Sequence, residues 1–257
     1  MPCSTHWSTS VSQNVACTSC GAEVMIATIR AYHRLVRPDV RPSVTVEIWS
    51  DVVCPWCFIG KRRFEKAIAE LDDEIAVDIS FRPFQLDPTA SPGKAGPVID
   101  AYAKKFGGYE RAQELIDNVT SVAAESGLEF HMDRALRANT LLAHRVLWLA
   151  ESTGHQIALK ERILQAYFMD GLDIGDPDVL ATCAADVGLD HDRVREFLDS
   201  DEGVAEVAEE LRSAAEMEIT AVPTFVFDGK WVVPGAQDAD TFVQVLRRIV
   251  AKRTADV

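Results

Sequence analysis

The chain has 257 residues, 47% of them hydrophobic and 26% charged, with a formal net charge of −14. That length suffices for one large domain, or for an ordinary domain carrying an insertion. Acidity spread over helix faces repels phosphate backbones and argues against a nucleic-acid partner, and no stretch is long and apolar enough to span a membrane.

Residues 1–42 stand apart from the rest of the chain. They are polar, then basic at Arg30, Arg34, Arg37 and Arg41, and Pro38 and Pro42 break any helix there. They are expected to form a disordered or loosely helical extension. They show no basic segment followed by an apolar core, as a secretory leader would. The expected location is therefore cytoplasmic, where a CxxC pair rests mostly reduced. Cys3-x-x-His6 and Cys17-x-x-Cys20 have the pairwise spacing of a zinc site. The segment between them lacks the apolar residues a zinc ribbon would pack, so no metal is expected. No strand precedes Cys17, which argues against a second redox pair.

From Val44 to Trp49 the pattern alternates, with Val44, Val46 and Ile48 on one face and Thr45, Glu47 and Trp49 on the other. Cys54-Pro55-Trp56-Cys57 comes next, and then a helical pattern with Phe58, Phe64, Ile68 and Leu71 at helical spacing. Two cysteines on the first turn of a helix after a strand read as a redox pair. The first turn has free backbone N–H groups and the positive end of the helix dipole, both of which favour a thiolate. Cys54 is the expected nucleophile, with a moderately lowered pKa, and Cys57 the resolving thiol. Pro55 suits the first helical position, because its missing N–H had no partner there. Trp56 tunes the pair and adds no positive charge. A structural zinc site is the other reading of CxxC, but no second ligand pair lies at the usual spacing.

Ile75 to Phe81 alternates again and completes a βαβ unit with parallel strands. A Pro/Gly-rich loop spans 84–97. Helices are then expected at 97–106, 109–126, 135–152, 155–169, 176–187, 191–200 and 203–216. Thr224–Phe227, Asp228-Gly229 and Trp231–Val233 read as a hairpin, and a helix over 241–252 closes the chain. Cys183, Phe225, Phe227 and Trp231 read as core. The fold class is α/β, with βαβ and ββα pieces forming one sheet around an all-helical insertion. The boundaries are 1–42 for the extension, 43–84 and 202–254 for the sheet domain, and 85–201 for the insertion.

These motifs resemble a known family. Glu47-Ile48-Trp49-Ser50-Asp51 runs into the CPWC motif, and Phe84-Gln85-Leu86-Asp87-Pro88 comes after the second strand. Arg137-Ala138-Asn139-Thr140, Ala143-His144-Arg145, Tyr167-Phe168, Asp173-Ile174, Val222-Pro223-Thr224-Phe225 and Gly235-Ala236-Gln237 complete the pattern. Together they are similar to the DsbA family of thioredoxin-fold oxidoreductases, in its FrnE-like branch, over about residues 44 to 252. The resemblance implies a thioredoxin fold and a cis peptide at Pro223, facing the cysteines. The backbone of Val222 can then pair with an extended substrate. It implies that Glu47 is a buried acid accepting or relaying the proton of the inner cysteine; a solvated edge-strand glutamate is the other reading. Asn139 and His144, expected on one insertion helix, become candidates for lining the cleft.

The implied activity is thiol:disulfide exchange with a protein or small thiol, glutathione included, and without a cofactor. Two other readings stay open. One is a glutathione-dependent enzyme of the 2-hydroxychromene-2-carboxylate isomerase or kappa-transferase type, which typically lacks a cysteine pair. The other is a binding protein switched by the oxidation state of its CxxC.

Overall fold

A computed structural model describes residues 41–255; the Cys3, His6, Cys17 and Cys20 readings lie outside the described residues. The first βαβ unit consists of β1 (Ser43–Ser50), α1 (Pro55–Glu70) and β2 (Ala76–Pro83). Strand β1 pairs in parallel with β2, Val46 opposite Ile79. The chain returns through β5 (Thr224–Phe227) and β6 (Trp231–Pro234) and ends in α9 (Ala239–Ala255). Strand β5 runs antiparallel to β1, which gives a four-stranded sheet of order β2-β1-β5-β6.

Alternation along β1 decides which side chains meet which layer. Val44, Val46 and Ile48 point to α1 and α9, where Phe64 packs against Phe225, Phe227 and Phe242 with ring centroids 5.0–6.0 Å apart. Trp49 points the other way, into a small cluster with Val226, Ala214 and Ile219 that also touches Val222. This is the βαβ…ββα thioredoxin arrangement expected from the sequence.

Between β2 and β5 lie α2 (Val98–Phe106), α3 (Tyr109–Glu125), α4 (Leu141–Glu151), α5 (Gln156–Phe168), α6 (Pro177–Asp186), α7 (His191–Asp199) and α8 (Val204–Glu216). Their shared core includes Phe58 and Ile59 of α1, so the helical layer packs against the helix that carries the cysteines. Asp176 and Asp190 cap α6 and α7 by accepting backbone N–H bonds, as an N-cap aspartate does.

One helix is shorter than its pattern. The expected helix over 135–152 begins only at Leu141, because Leu136–Arg137 (β4) pairs with Gly96–Pro97 (β3). Asn139 is therefore in the loop ahead of α4, which corrects its placement on the helix. Its carboxamide accepts from the Leu141 N–H at 2.9 Å and donates to the Ala90 carbonyl at 2.7 Å. No helix of the described residues is long and apolar enough to cross a membrane.

Candidate active site

Strand β1 and helix α1 meet at the loop Asp51–Cys54. Cys54 is the N-cap of α1 in an extended conformation, and Pro55 opens the helix. Cys54 and Cys57 are both free thiols and both buried, while Trp56 between them is 39% exposed. The Trp56 ring thus marks where the site meets solvent. The Val222–Pro223 peptide is cis. The Cys54 thiol donates to the Val222 carbonyl, with the sulfur 3.7 Å from the oxygen. The proline loop and the first cysteine therefore face each other.

Gly60 permits this approach. A β-carbon at that position would lie 3.0 Å from Pro223 Cγ and 3.3 Å from Ala236 Cβ. A side chain there would push the cysteine helix off the proline loop.

The two thiols share their protons. Cys54 is pushed well above an ordinary thiol by its hydrogen bond to Cys57, by burial, and by the charge on Cys57. Burial also pushes Cys57 up. That effect is outweighed by the hydrogen bond from Cys54, the charge of Lys160, the Ser50 hydroxyl and the Asp51 backbone, so Cys57 lies below the ordinary value. The Ser50 hydroxyl is buried and has no hydrogen-bond partner beside the thiol, so it is free to donate to a thiolate. The pair ionises in two steps that belong to both residues, the first eased and the second opposed. This corrects the expectation of a lowered Cys54. Besides Cys54 itself, the groups that support a thiolate on Cys57 are Lys160, the Ser50 hydroxyl and the Asp51 backbone.

Asp51 forms the floor of the site. It is fully buried and accepts the N–H groups of Val52 and Leu86, each at 2.8 Å. His144 Nε2 lies 3.2 Å from the same carboxylate and 3.0 Å from the Phe84 carbonyl. His144 thus ties α4 to the loops beside Cys54. Asn139 bonds to the 84–97 loop from the same direction but touches neither cysteine. Tyr102 is pushed up to about 12 by burial and by the charge on Cys54.

Glu47 is not brought to the cysteines. Its carboxylate is partly exposed and bound to Arg82 at 2.9 Å, in a cluster where Arg82 also meets Glu151 and Glu210. Because Glu47 and Arg82 stand opposite neighbours on parallel strands, their side chains share one face of the sheet. The buried acid near the pair is Asp51, four residues further on.

The sequence reading missed Lys160. It lies on α5, is 1% exposed, and holds its ammonium 5.3 Å from the Phe81 ring centroid. Burial lowers it to about 8, against the raising charges of Cys57, Asp51 and Cys54. A signal for it exists in the sequence: Gln156 and Lys160 interrupt the buried stripe formed by Leu159, Ile163 and Tyr167. Among the described residues no cluster of three or more His, Cys, Asp or Glu side chains is arranged to hold a metal.

Known proteins resemble this chain in sequence and fold. A model of the DSBA-like thioredoxin domain matches residues 45–247. An uncharacterised Bacillus subtilis protein, YwbO, is 32% identical over 206 residues, covering 79% of this chain and 96% of that one. The crystal structure of a probable DsbA oxidoreductase, SCO1869 from Streptomyces coelicolor, superposes with a TM-score of 0.74 at 36% identity, covering 80% of this chain and 89% of its own. The cytosolic disulfide reductase DsbM from Pseudomonas aeruginosa, solved with GSH, shares the fold with a TM-score of 0.58 at 18% identity, over 80% of this chain and 99% of that one.

Proposed function

The chain belongs to the DSBA-like thioredoxin domain family, and from that membership we propose that it is a thiol:disulfide oxidoreductase working through Cys54 and Cys57. The observation that carries this reading is the pair of buried free thiols at the start of α1, with Cys54 against the Val222 carbonyl. When the pair has lost one proton and the remaining one sits on Cys57, the charge stands on Cys54 at the helix N-terminus. That thiolate attacks a substrate disulfide, R–S–S–R′. A Cys54–S–S–R bond forms, the R–S–S–R′ bond breaks, and R′–S⁻ leaves with the electron pair. Cys57 then attacks Cys54 Sγ, closing the internal disulfide and releasing R–S⁻. Run in reverse, the same steps oxidise a dithiol.

An extended substrate strand would pair with the backbone of Val222 beside the cysteines. Glutathione or a reductase would return the pair to its starting state. A neighbour of the same fold is a cytosolic disulfide reductase solved with GSH, which fits a small-thiol partner and a cytoplasmic setting. The exchange itself needs no metal or organic cofactor.

The test is equilibration with glutathione redox buffers, followed by tryptophan fluorescence, together with trapping of a mixed disulfide in Cys57→Ser. The expected result is a reversible Cys54–Cys57 disulfide and a stable Cys54 adduct. A potential above about −200 mV assigns oxidation or isomerisation, and one near −270 mV assigns reduction. Failure to form the internal disulfide would overturn the proposal in favour of glutathione-dependent isomerase or transferase chemistry.

A further inference from the structure

Strand β2 is one edge of the sheet, and only part of that edge is covered. Gln156 takes both backbone groups of Phe81, accepting from its N–H at 2.8 Å and donating to its carbonyl at 3.1 Å. Those groups therefore face away from β1. Backbone groups alternate sides along a strand, so the N–H and C=O of Val77 and Ile79 face the same way as those of Phe81. Among the described residues nothing bonds to them.

Beside this open stretch is a cavity of about 550 Å³. Val77, Ile79 and Phe81 pack into the sheet core with α1 and α9, so Asp78, Ser80 and Arg82 point to the opposite face. There, with Glu47 of β1, they line one wall of the cavity. Glu151 at the end of α4 and Ile157 at the start of α5 line the other. The lining sets three carboxylates, Glu47, Asp78 and Glu151, against one guanidinium, Arg82. Arg82 bonds to Glu47 and Glu151 and also to Glu210. Asp78 is exposed and has no ion pair among the described residues.

We propose that the open stretch of β2 is a docking site for an extended segment of a partner protein in which apolar and basic residues alternate. The backbone of the segment pairs with the free N–H and C=O groups of Val77 and Ile79, adding a short strand to the sheet. Partner residues opposite Asp78 and Ser80 turn their side chains to the cavity face, where lysine or arginine meets Asp78, Glu47 and Glu151. Residues opposite Val77 and Ile79 turn to the other face and cover those half-buried side chains. Gln156 stops the added strand before Phe81, so the segment is short. The acidity of the whole chain draws a basic segment in. A second copy is disfavoured, because each edge carries the same excess of carboxylates. No cysteine lines the cavity, and its occupation does not require the exchange chemistry.

The probe is a fluorescent, end-blocked pentapeptide of alternating valine and arginine, titrated into the full chain. Saturable binding that weakens as salt rises is expected. In isotope-labelled protein, amide exchange at Val77 and Ile79 should slow when the peptide binds. Asp78→Asn combined with Glu151→Gln should weaken binding about fivefold. Ile79→Pro removes an outward N–H and no bond of the ladder, and should abolish binding. A peptide methylated on its backbone nitrogens keeps the charge and should also fail to bind, which tests the pairing without altering the protein. Absence of saturable binding overturns the proposal, as does equal binding of the methylated peptide or of one alternating valine and glutamate. Protection of both amides in the protein alone overturns it too, because the edge is then already occupied; light scattering shows whether a second copy is the occupant.

Discussion

Asp51 accepts hydrogen bonds from two loops and lies against His144, all without exposure to solvent. Truncating it leaves two buried N–H groups without acceptors. Asp51→Ala is expected to cost about 2–4 kcal/mol, seen as a lower urea midpoint at unchanged slope. Lys160 carries a cost of the opposite kind. Its folded value is about 8 against an ordinary lysine value of 10.5, so the unfolded chain binds the proton more tightly. The penalty is present in full below pH 8 and is relieved as the pH rises from 8 toward 10.5. It is on the order of 3 kcal/mol. Measured on the disulfide form, where neither thiol titrates, wild-type stability should rise across that window. Lys160→Met should be more stable than wild type at neutral pH and show no such rise. The cysteines and Pro223 were legible because their meaning is carried by short motifs. Asp51 and Lys160 were not, because their roles depend on partners from distant parts of the chain, such as His144 and Cys57.

Between elements, specific contacts set distances that periodicity does not encode. Arg145 of α4 donates to the carbonyls of Phe197, Leu198, Ser200 and Glu202, closing the C-terminal end of α7. Arg145→Met fills the space but strands those carbonyls. It should cost about 1.5–3 kcal/mol or more, read by urea unfolding. Gly60 sets the gap between α1 and the proline loop. Gly60→Val is expected to lose about 1–3 kcal/mol by overpacking, and to slow mixed-disulfide formation because Cys54 moves off Val222. Most elements were readable from alternation, helical spacing and caps, and their ends fall within a few residues of expectation. The late start of α4 was not. Strands β3 and β4 have two residues each, too short to leave a periodic signal, yet their pairing delays the start of the helix.

At the scale of the molecule, the charge of −14 acts on every encounter. Anionic disulfides such as oxidised glutathione approach against this field, and cationic ones with it. Raising ionic strength from about 0.01 to 0.15 M shortens the screening length from about 30 to 8 Å. It should speed attack on oxidised glutathione and slow attack on a disulfide of cationic thiols. The sheet core and helical layer were legible because each buries a continuous apolar face. The seam between β2 and the helical layer was not, because Gln156 and Arg82 make polar bonds there.

That seam contains Gln156, whose carboxamide accepts from the Phe81 N–H at 2.8 Å and donates to the Phe81 carbonyl at 3.1 Å. Strand β2 is an edge of the sheet, and an unpaired edge is a template on which other chains can nucleate. One side chain here mimics the bonds a further strand would make. The helical layer thus acts as a guard against self-association as well as a wall of the site. Gln156→Leu would leave that position unpaired while keeping its bulk, and light scattering of the concentrated protein would report whether copies then begin to add to one another.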